Sequence, residues 1–115
     1  MTNVAFQGEP GAYSESAVYQ FFGSKVQVKP CRDFRDVFES VKRQDVGAGV
    51  VPVENSLEGS VNQNYDLFFS YDLKVCGEVI VKIEHCLIIN PGTTLDSVKT
   101  VYSHPQALAQ CRSFL

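Results

Sequence analysis

The sequence predicts an α/β protein: one doubly wound lobe followed by the start of a second α/β lobe. Short apolar runs alternate three times with helical patterns of apolar residues before Lys74, the signature of strand–helix units. Polar turn residues, glycine or proline mark most of the strand-to-helix junctions. Beyond Lys74-Val-Cys-Gly77 the pattern changes to one long extended run, as expected of a strand that passes from one lobe into another. The expected boundaries are therefore residues 1–76 and 77–115.

Asn3-Val-Ala-Phe-Gln7 reads as a short buried strand. Gly8-Glu9-Pro10-Gly11 is a tight loop whose glycines permit close approach of backbone to a ligand. Ser14 is expected to cap a helix beginning near Glu15, with Ala17, Val18, Phe21 and Phe22 on one face. Val26 to Pro30 reads as the second strand. Asp33 then caps a helix in which Phe34, Val37, Phe38 and Val41 recur at helical spacing, leaving Arg32, Arg35, Lys42 and Arg43 as a solvated face. Val46 to Val51 is the third strand.

The most informative stretch comes next, Val50 to Val61. Pro52 ends the strand, because it cannot donate to a ladder inside a sheet. Glu54, Asn55 and Ser56 succeed it, and Gly59-Ser60 is expected to open a helix with Val61, Tyr65 and Phe68 on one side and Asn62, Gln63, Asn64 and Asp66 on the other, core packing explaining the aromatics and Asn64 or Tyr65 being candidates to line a cleft. In open α/β sheets, ligands bind where a strand ends in polar groups and hands over to a helix N-terminus. The orphan N–H groups of that first turn favour anions, and Asn55 and Ser56 add side-chain donors beside them. A polar turn with an ordinary cap would look the same locally.

In the second lobe, Glu78 to Asn90 is expected as one strand, with His85 a satisfied core or cleft-wall histidine. Pro91 to Thr94 is a turn, Leu95 to Val98 a short helical piece, and Thr100 to Tyr102 a strand. Ser103-His104-Pro105-Gln106 is another strand-to-helix junction, with proline suited to the first helical position and Leu108, Cys111 and Leu115 on the buried face.

Composition narrows the function classes. A net charge of −3 gives no basic field for nucleic acid or an anionic membrane. No apolar stretch approaches membrane-spanning length. Cys31, Cys76, Cys86 and Cys111 are far apart, without metal-ligand spacing, and read as reduced core thiols in a cytoplasmic protein. No Gly-x-Gly-x-x-Gly comes after the first strand, so no dinucleotide site is expected, and neither a cofactor nor a metal is indicated.

Three segments, in order, resemble the motifs of the prephenate dehydratase family: Gln7-Gly-Glu-Pro-Gly-Ala-Tyr-Ser14, Pro52-Val-Glu-Asn-Ser-Leu-Glu-Gly-Ser-Val61, and Val101-Tyr-Ser-His-Pro-Gln-Ala-Leu-Ala-Gln-Cys-Arg-Ser-Phe-Leu115. The resemblance covers nearly all of the chain. It implies a two-lobed, periplasmic-binding-protein-like (type II) fold, here the first lobe plus part of the second. It also implies a small-molecule substrate: prephenate, converted to phenylpyruvate with loss of water and carbon dioxide, or arogenate in close relatives. Such a substrate carries two carboxylates, and three helix N-termini, after Tyr13, Ser56 and His104, would supply donors without lysines.

Ser14, Asn55, Ser56 and Gln106 are thereby expected on the substrate side. His104, an imidazole that titrates near neutrality, is the candidate acid for the leaving hydroxide. The family's Thr-Arg-Phe motif is absent from these 115 residues, as is an ACT-type regulatory domain. An incomplete cleft with little or no activity of its own is expected, with a sheet edge that a second copy would cover in a homo-oligomer. A non-catalytic binding or sensor module on the same scaffold is the alternative from another class, since fold alone does not choose between them.

Overall fold

The computed structural model describes residues 2–55 and 59–115. The chain divides into two compact units, Met1–Lys82 and Ile83–Leu115.

The first unit is built on a parallel sheet of β1 (Asn3–Gln7), β2 (Gln27–Cys31) and β3 (Ala48–Val50), in the order β2-β1-β3. Val4 lies opposite Val28 and Ala48, and Phe6 opposite Pro30 and Val50. Strand residues alternate between faces. In β1, Val4 and Phe6 therefore meet Val18 of α1 (Tyr13–Phe22) on one side, while Ala5 meets Val37 of α2 (Phe34–Lys42) on the other. Val4, Ala5 and Phe6 are wholly buried, as a central parallel strand covered on both faces must be. This is the doubly wound arrangement the sequence predicts. Pro30 sits in β2, an edge strand, where proline is tolerated.

Helix α2 matches its sequence pattern closely. The Asp33 carboxylate accepts the Asp36 N–H at 2.8 Å and caps the helix. Helix α1 differs: its N-cap is Ala12, which makes no side-chain capping bond, and Ser14 stands inside the first turn. The Glu15 carboxylate reaches back to accept the Gly11 N–H at 3.1 Å, which removes the need for a serine cap.

The larger departure comes after β3. Glu54–Asn55 (β4) pairs antiparallel with Gly59–Ser60 (β5), and only then does α3 (Asn62–Ser70) begin. Gly59-Ser60 therefore does not open the helix. The backbone there is extended, because Val61 N–H donates to Val53 O at 2.8 Å and Ser60 Oγ–H to Glu54 Oε1 at 2.9 Å. The inward stripe of α3 and its C-cap is Asn64, Leu67, Phe68 and Tyr71; Phe68 faces inward as expected, but Tyr65 is exposed and Asn64, expected on the outer side, is buried. That set has the same i, i+3, i+4, i+7 spacing with a polar residue in it. Tyr71, Phe38 and Leu67 form a third core cluster, and Tyr71 Oη–H donates to Glu39 Oε1 at 2.5 Å.

In the second unit a 3-10 turn spans Leu95–Ser97, and α4 (Pro105–Gln110) starts on Pro105, both as expected. The strands expected over Glu78 to Asn90 and Thr100 to Tyr102 do not form among the described residues: neither stretch joins a sheet. Alternation of apolar residues does not make a strand without a neighbour to complete its hydrogen bonds. Ile80 and Ile88 are accordingly exposed. Leu108 and Cys111 are half-buried but Leu115 is exposed, so the buried face of α4 is shorter than its pattern suggests. His85 is exposed, not in a core, and its Nε2 lies 2.6 Å from Gln110 Oε1.

All four cysteines are free, but only Cys31 is a buried core thiol, its pKa raised chiefly by that burial; Cys76 and Cys86 are exposed. Among the described residues there is no cluster of metal-ligating side chains, and no helix is long and apolar enough to cross a membrane.

Candidate functional site

The strand order decides where a ligand can sit in the first unit. The chain runs from β1 out to β2 and returns across β1 to β3, so the winding reverses between β1 and β3. A crevice opens beyond the carboxyl ends of two strands so related. The segments that leave those ends are Gly8 to Ala12, after β1, and Val51 to Asn55, after β3. The Gln7–Ser14 motif and the first part of the Pro52–Val61 motif therefore occupy neighbouring positions at one end of one sheet.

The post-β1 loop needs its glycines. Gly8 has φ 126° and Gly11 φ 94°, in the region that favours glycine. Gly8 N–H donates to Cys31 O at 3.0 Å, which pins the loop to the end of β2. Ala12 N–H is taken by Glu9 O, and Glu15 and Ser16 N–H by Ala12 O. Ser14, half-buried, heads α1 with a hydroxyl and an N–H that has no intrahelical acceptor.

The post-β3 segment is held by four bonds to groups later in the chain. Asn64 Nδ2 donates to Pro52 O at 2.6 Å, Val61 N–H to Val53 O at 2.8 Å, and Tyr65 Oη–H to Glu54 Oε1 at 2.7 Å. Ser60 Oγ–H shares that same oxygen of Glu54. The Tyr65 hydroxyl titrates above the ordinary phenol range, first because of its bond to Glu54, then by desolvation and by the carboxylate's charge. Asn55, half-buried, is the next residue in the chain.

Glu54, Asn64 and Tyr65 thus belong with Asn55, although of the four only Asn55 is expected from sequence on the substrate side, Asn64 or Tyr65 being no more than a candidate for a cleft wall. The signal that would have found the other three is the helical stripe of α3. Placing its inward face on Leu67 and Tyr71 puts Asn64 inside and turns Tyr65 out toward Glu54.

Of the residues expected on the substrate side, Ser14 and Asn55 lie in the first unit, on segments leaving neighbouring strands. Ser56 lies outside the described residues. His104 and Gln106 lie in the second unit. His104 is exposed and its carbonyl accepts the Leu108 N–H at 3.1 Å, which makes it the backbone start of α4. Gln106 is the second residue of that helix.

Chemically, the first unit's share of the site is a set of neutral donors beside two carboxylates: Glu54, which two hydroxyls already engage, and Glu15, which takes the Gly11 N–H. Such donors suit an anionic ligand group held at the Ser14 and Asn55 side.

The model of the prephenate dehydratase family matches residues 4–115. The chain is 46% identical over 112 residues to arogenate dehydratase/prephenate dehydratase 2 of Arabidopsis thaliana, covering 97% of this chain and 29% of that protein. It is 44% identical over 112 residues to the bifunctional chorismate mutase/prephenate dehydratase of Stutzerimonas stutzeri, covering 97% of this chain and 31% of that protein. The chain thus spans less than a third of the length of these curated relatives. Among solved structures, prephenate dehydratase from Streptococcus mutans superimposes with a TM-score of 0.57 at 27% identity, over 61% of this chain and 37% of that one. GqqA, described as a novel type of quorum-quenching acylase, superimposes with a TM-score of 0.78 at 35% identity, over 97% of this chain and 41% of that one.

Proposed function

The chain belongs to the prephenate dehydratase family, and from that premise we propose that the protein carrying it converts prephenate to phenylpyruvate by decarboxylating dehydration. The observation that supports this most is topological: two of the family-like motifs leave the carboxyl ends of β1 and β3, the pair of strands between which the winding reverses. On this reading Ser14, Asn55, Ser56 and Gln106 donate to the carboxylates of the substrate. His104 protonates the departing hydroxide, so that water leaves. The electron pair of the breaking bond to the ring carboxylate becomes part of the new aromatic ring, and carbon dioxide is released. Aromatisation supplies the driving force, and the protein's task is to place donors where charge develops. The reading includes a homo-oligomer in the reducing cytoplasm, where four free cysteines stay unpaired.

Two further outcomes have a definite basis. Arogenate carries the same ring, and several relatives bear that substrate in their names, so the same steps would give phenylalanine. GqqA matches over nearly the whole chain, which makes hydrolysis of an N-acyl amide the second reading.

The deciding experiment gives the full-length protein prephenate, arogenate and an N-acyl amide in parallel. Phenylpyruvate, phenylalanine and released acid are measured by chromatography, and light scattering on the same sample reports assembly. Phenylpyruvate or phenylalanine is the expected product. Acid release alone favours the acylase reading, and ligand binding with no product favours a sensor module. Asn55→Ala is expected to cut turnover by about a hundredfold, the scale for one lost donor to developing charge, at an unchanged urea midpoint. Parallel losses of turnover and stability would return Asn55 to the structural residues.

A further inference from the structure

We infer that Asn64 and Tyr65, consecutive residues on α3, are positioning residues that hold Pro52–Asn55 in the one register that presents Asn55 to the substrate. The inference deepens the proposed function and rests on its placement of Asn55 in the site.

Asn64 is the starting point. It is wholly buried, in a helical stripe whose other members are Leu67, Phe68 and Tyr71. A buried carboxamide is costly unless its polar atoms are bonded. Its Nδ2 donates to Pro52 O at 2.6 Å, and its Oδ1 has no partner. Leucine has the same branching and number of side-chain heavy atoms and would carry no orphan oxygen. What leucine lacks is the donor to Pro52. Proline has no N–H, so the carbonyl is the sole backbone group by which Pro52 can be held.

Tyr65 acts on the other side of the same segment. Its Oη–H donates to Glu54 Oε1 at 2.7 Å, and Ser60 Oγ–H donates to that oxygen at 2.9 Å. Between them, Val53 O accepts the Val61 N–H at 2.8 Å. Positions 52, 53 and 54 are therefore each tied to α3 or to the strand that precedes it. Asn55 is the first residue after these three ties. A donor works on a reacting ligand only when held within roughly 0.5 Å of its working position. This anchoring is a direct route to that precision from a segment that proline has cut loose from the main sheet.

The test uses Asn64→Leu and Tyr65→Phe in the full-length protein, with and without Asn55→Ala. Amide exchange of Val53 to Asn55 is monitored by mass spectrometry, beside kcat, KM for prephenate and the urea midpoint. Each single variant is expected to speed exchange there about tenfold, as loss of one net hydrogen bond allows, and to lower kcat by a similar factor. KM should change less than kcat. In the Asn55→Ala background neither variant should lower kcat further.

Unchanged exchange at 53–55, or a kcat that falls only in step with the urea midpoint, would overturn the positioning role. Tyr65→Phe acts at an exposed position, so it decides the matter even if Asn64→Leu does not fold. Faster exchange in both variants, with Asn55→Ala leaving turnover intact, would instead overturn the substrate-side reading on which the inference rests.

Discussion

Gly49 offers the sharpest test of how the sheet end is built. It lies in β3, three residues before Pro52, under the middle of α2. A Cβ placed there would stand 2.7 Å from Val37 Cγ1 and 3.1 Å from Val41 Cγ2. Carbon atoms in contact prefer about 3.5–4.0 Å, so the first approach is close to 1 Å too short. Val37 cannot easily turn aside. It is 2% exposed, and in a helix its χ1 is confined to one rotamer about 90% of the time. Gly49→Ala must therefore push α2 off the sheet or strain the valine.

Overpacking of this kind costs about 1–3 kcal/mol. Replacing glycine also restricts the unfolded chain, which returns about 0.4–1 kcal/mol. The expected net loss is about 1–2 kcal/mol, which at a urea slope of about 1–3 kcal/mol per molar lowers the midpoint by roughly 0.3–2 M. Unfolding in urea, monitored by far-ultraviolet circular dichroism, reads this directly. Val37→Ala alone should also destabilise, by leaving a cavity. The double variant should be more stable than the sum of the two, because the new methyl enters the space the valine has vacated. Strict additivity, or a Gly49→Ala midpoint equal to that of the parent, would refute the account of the α2–β3 contact.

Two other changes test the elements on either side. Asp33→Ala removes the cap bond to Asp36 N–H and should cost about 1 kcal/mol, while Asp33→Asn should recover most of it, both read from urea midpoints. Tyr71→Phe should produce a pH-dependent loss. Glu39 titrates below the usual carboxylate range, first because Tyr71 donates to it, so the stabilisation is present above that range and disappears as pH falls through the folded value. Tyr71 titrates above the usual phenol range, first because of Glu39, so its share is present below about pH 10 and is lost as pH rises through the folded value. The gap between parent and Tyr71→Phe midpoints should therefore be flat around neutrality and narrow at both extremes. A gap that stays constant from acid to alkali would contradict this.

The parts of the fold that were legible in the sequence are those whose side chains report local structure and nothing else. Asp33 with Phe34, Val37, Phe38 and Val41 is a cap leading into a stripe, and no distant partner is needed to read it. β1 is legible for a related reason, since a run that is apolar on both faces fits only a covered central strand. The failures each involve a distant partner. Gly59-Ser60 has the composition of a helix start, but Val53 supplies a carbonyl that makes an extended backbone the better-bonded choice. Asn64 looks like an outward residue because it is polar, and the carbonyl that satisfies it is twelve positions away. Glu78 to Asn90 alternates like a strand, but alternation does not provide a neighbour. At the candidate site, Asn55 and Ser14 stand out by family-like wording, while the bond that joins Tyr65 to Glu54 becomes legible only once the hairpin and the phase of α3 are known.

The hairpin also changes how the proposed site would handle charge. With a helix N-terminus after β3, any anion would be attracted there by the field of the helix, worth about 0.3–1 kcal/mol at an exposed end. The hairpin instead puts a carboxylate there, Glu54, whose one oxygen takes hydrogen bonds from Ser60 and Tyr65. Those bonds hold the carboxylate in place without cancelling its charge. An anionic group placed against Glu54 would be repelled, and one placed against the head of α1 meets the Ser14 N–H and hydroxyl beside the Glu15 carboxylate, which already takes the Gly11 N–H. On the proposed reading, then, a dianionic substrate is oriented in the first unit by where the neutral donors stand: one carboxylate goes to Ser14, and Asn55, neutral and fixed in register, reaches the part of the ligand that Glu54 keeps free of charge. Selectivity of this kind depends on geometry more than on attraction, which is why an acidic chain with no cluster of lysines at its candidate site can still be matched to an acidic ligand.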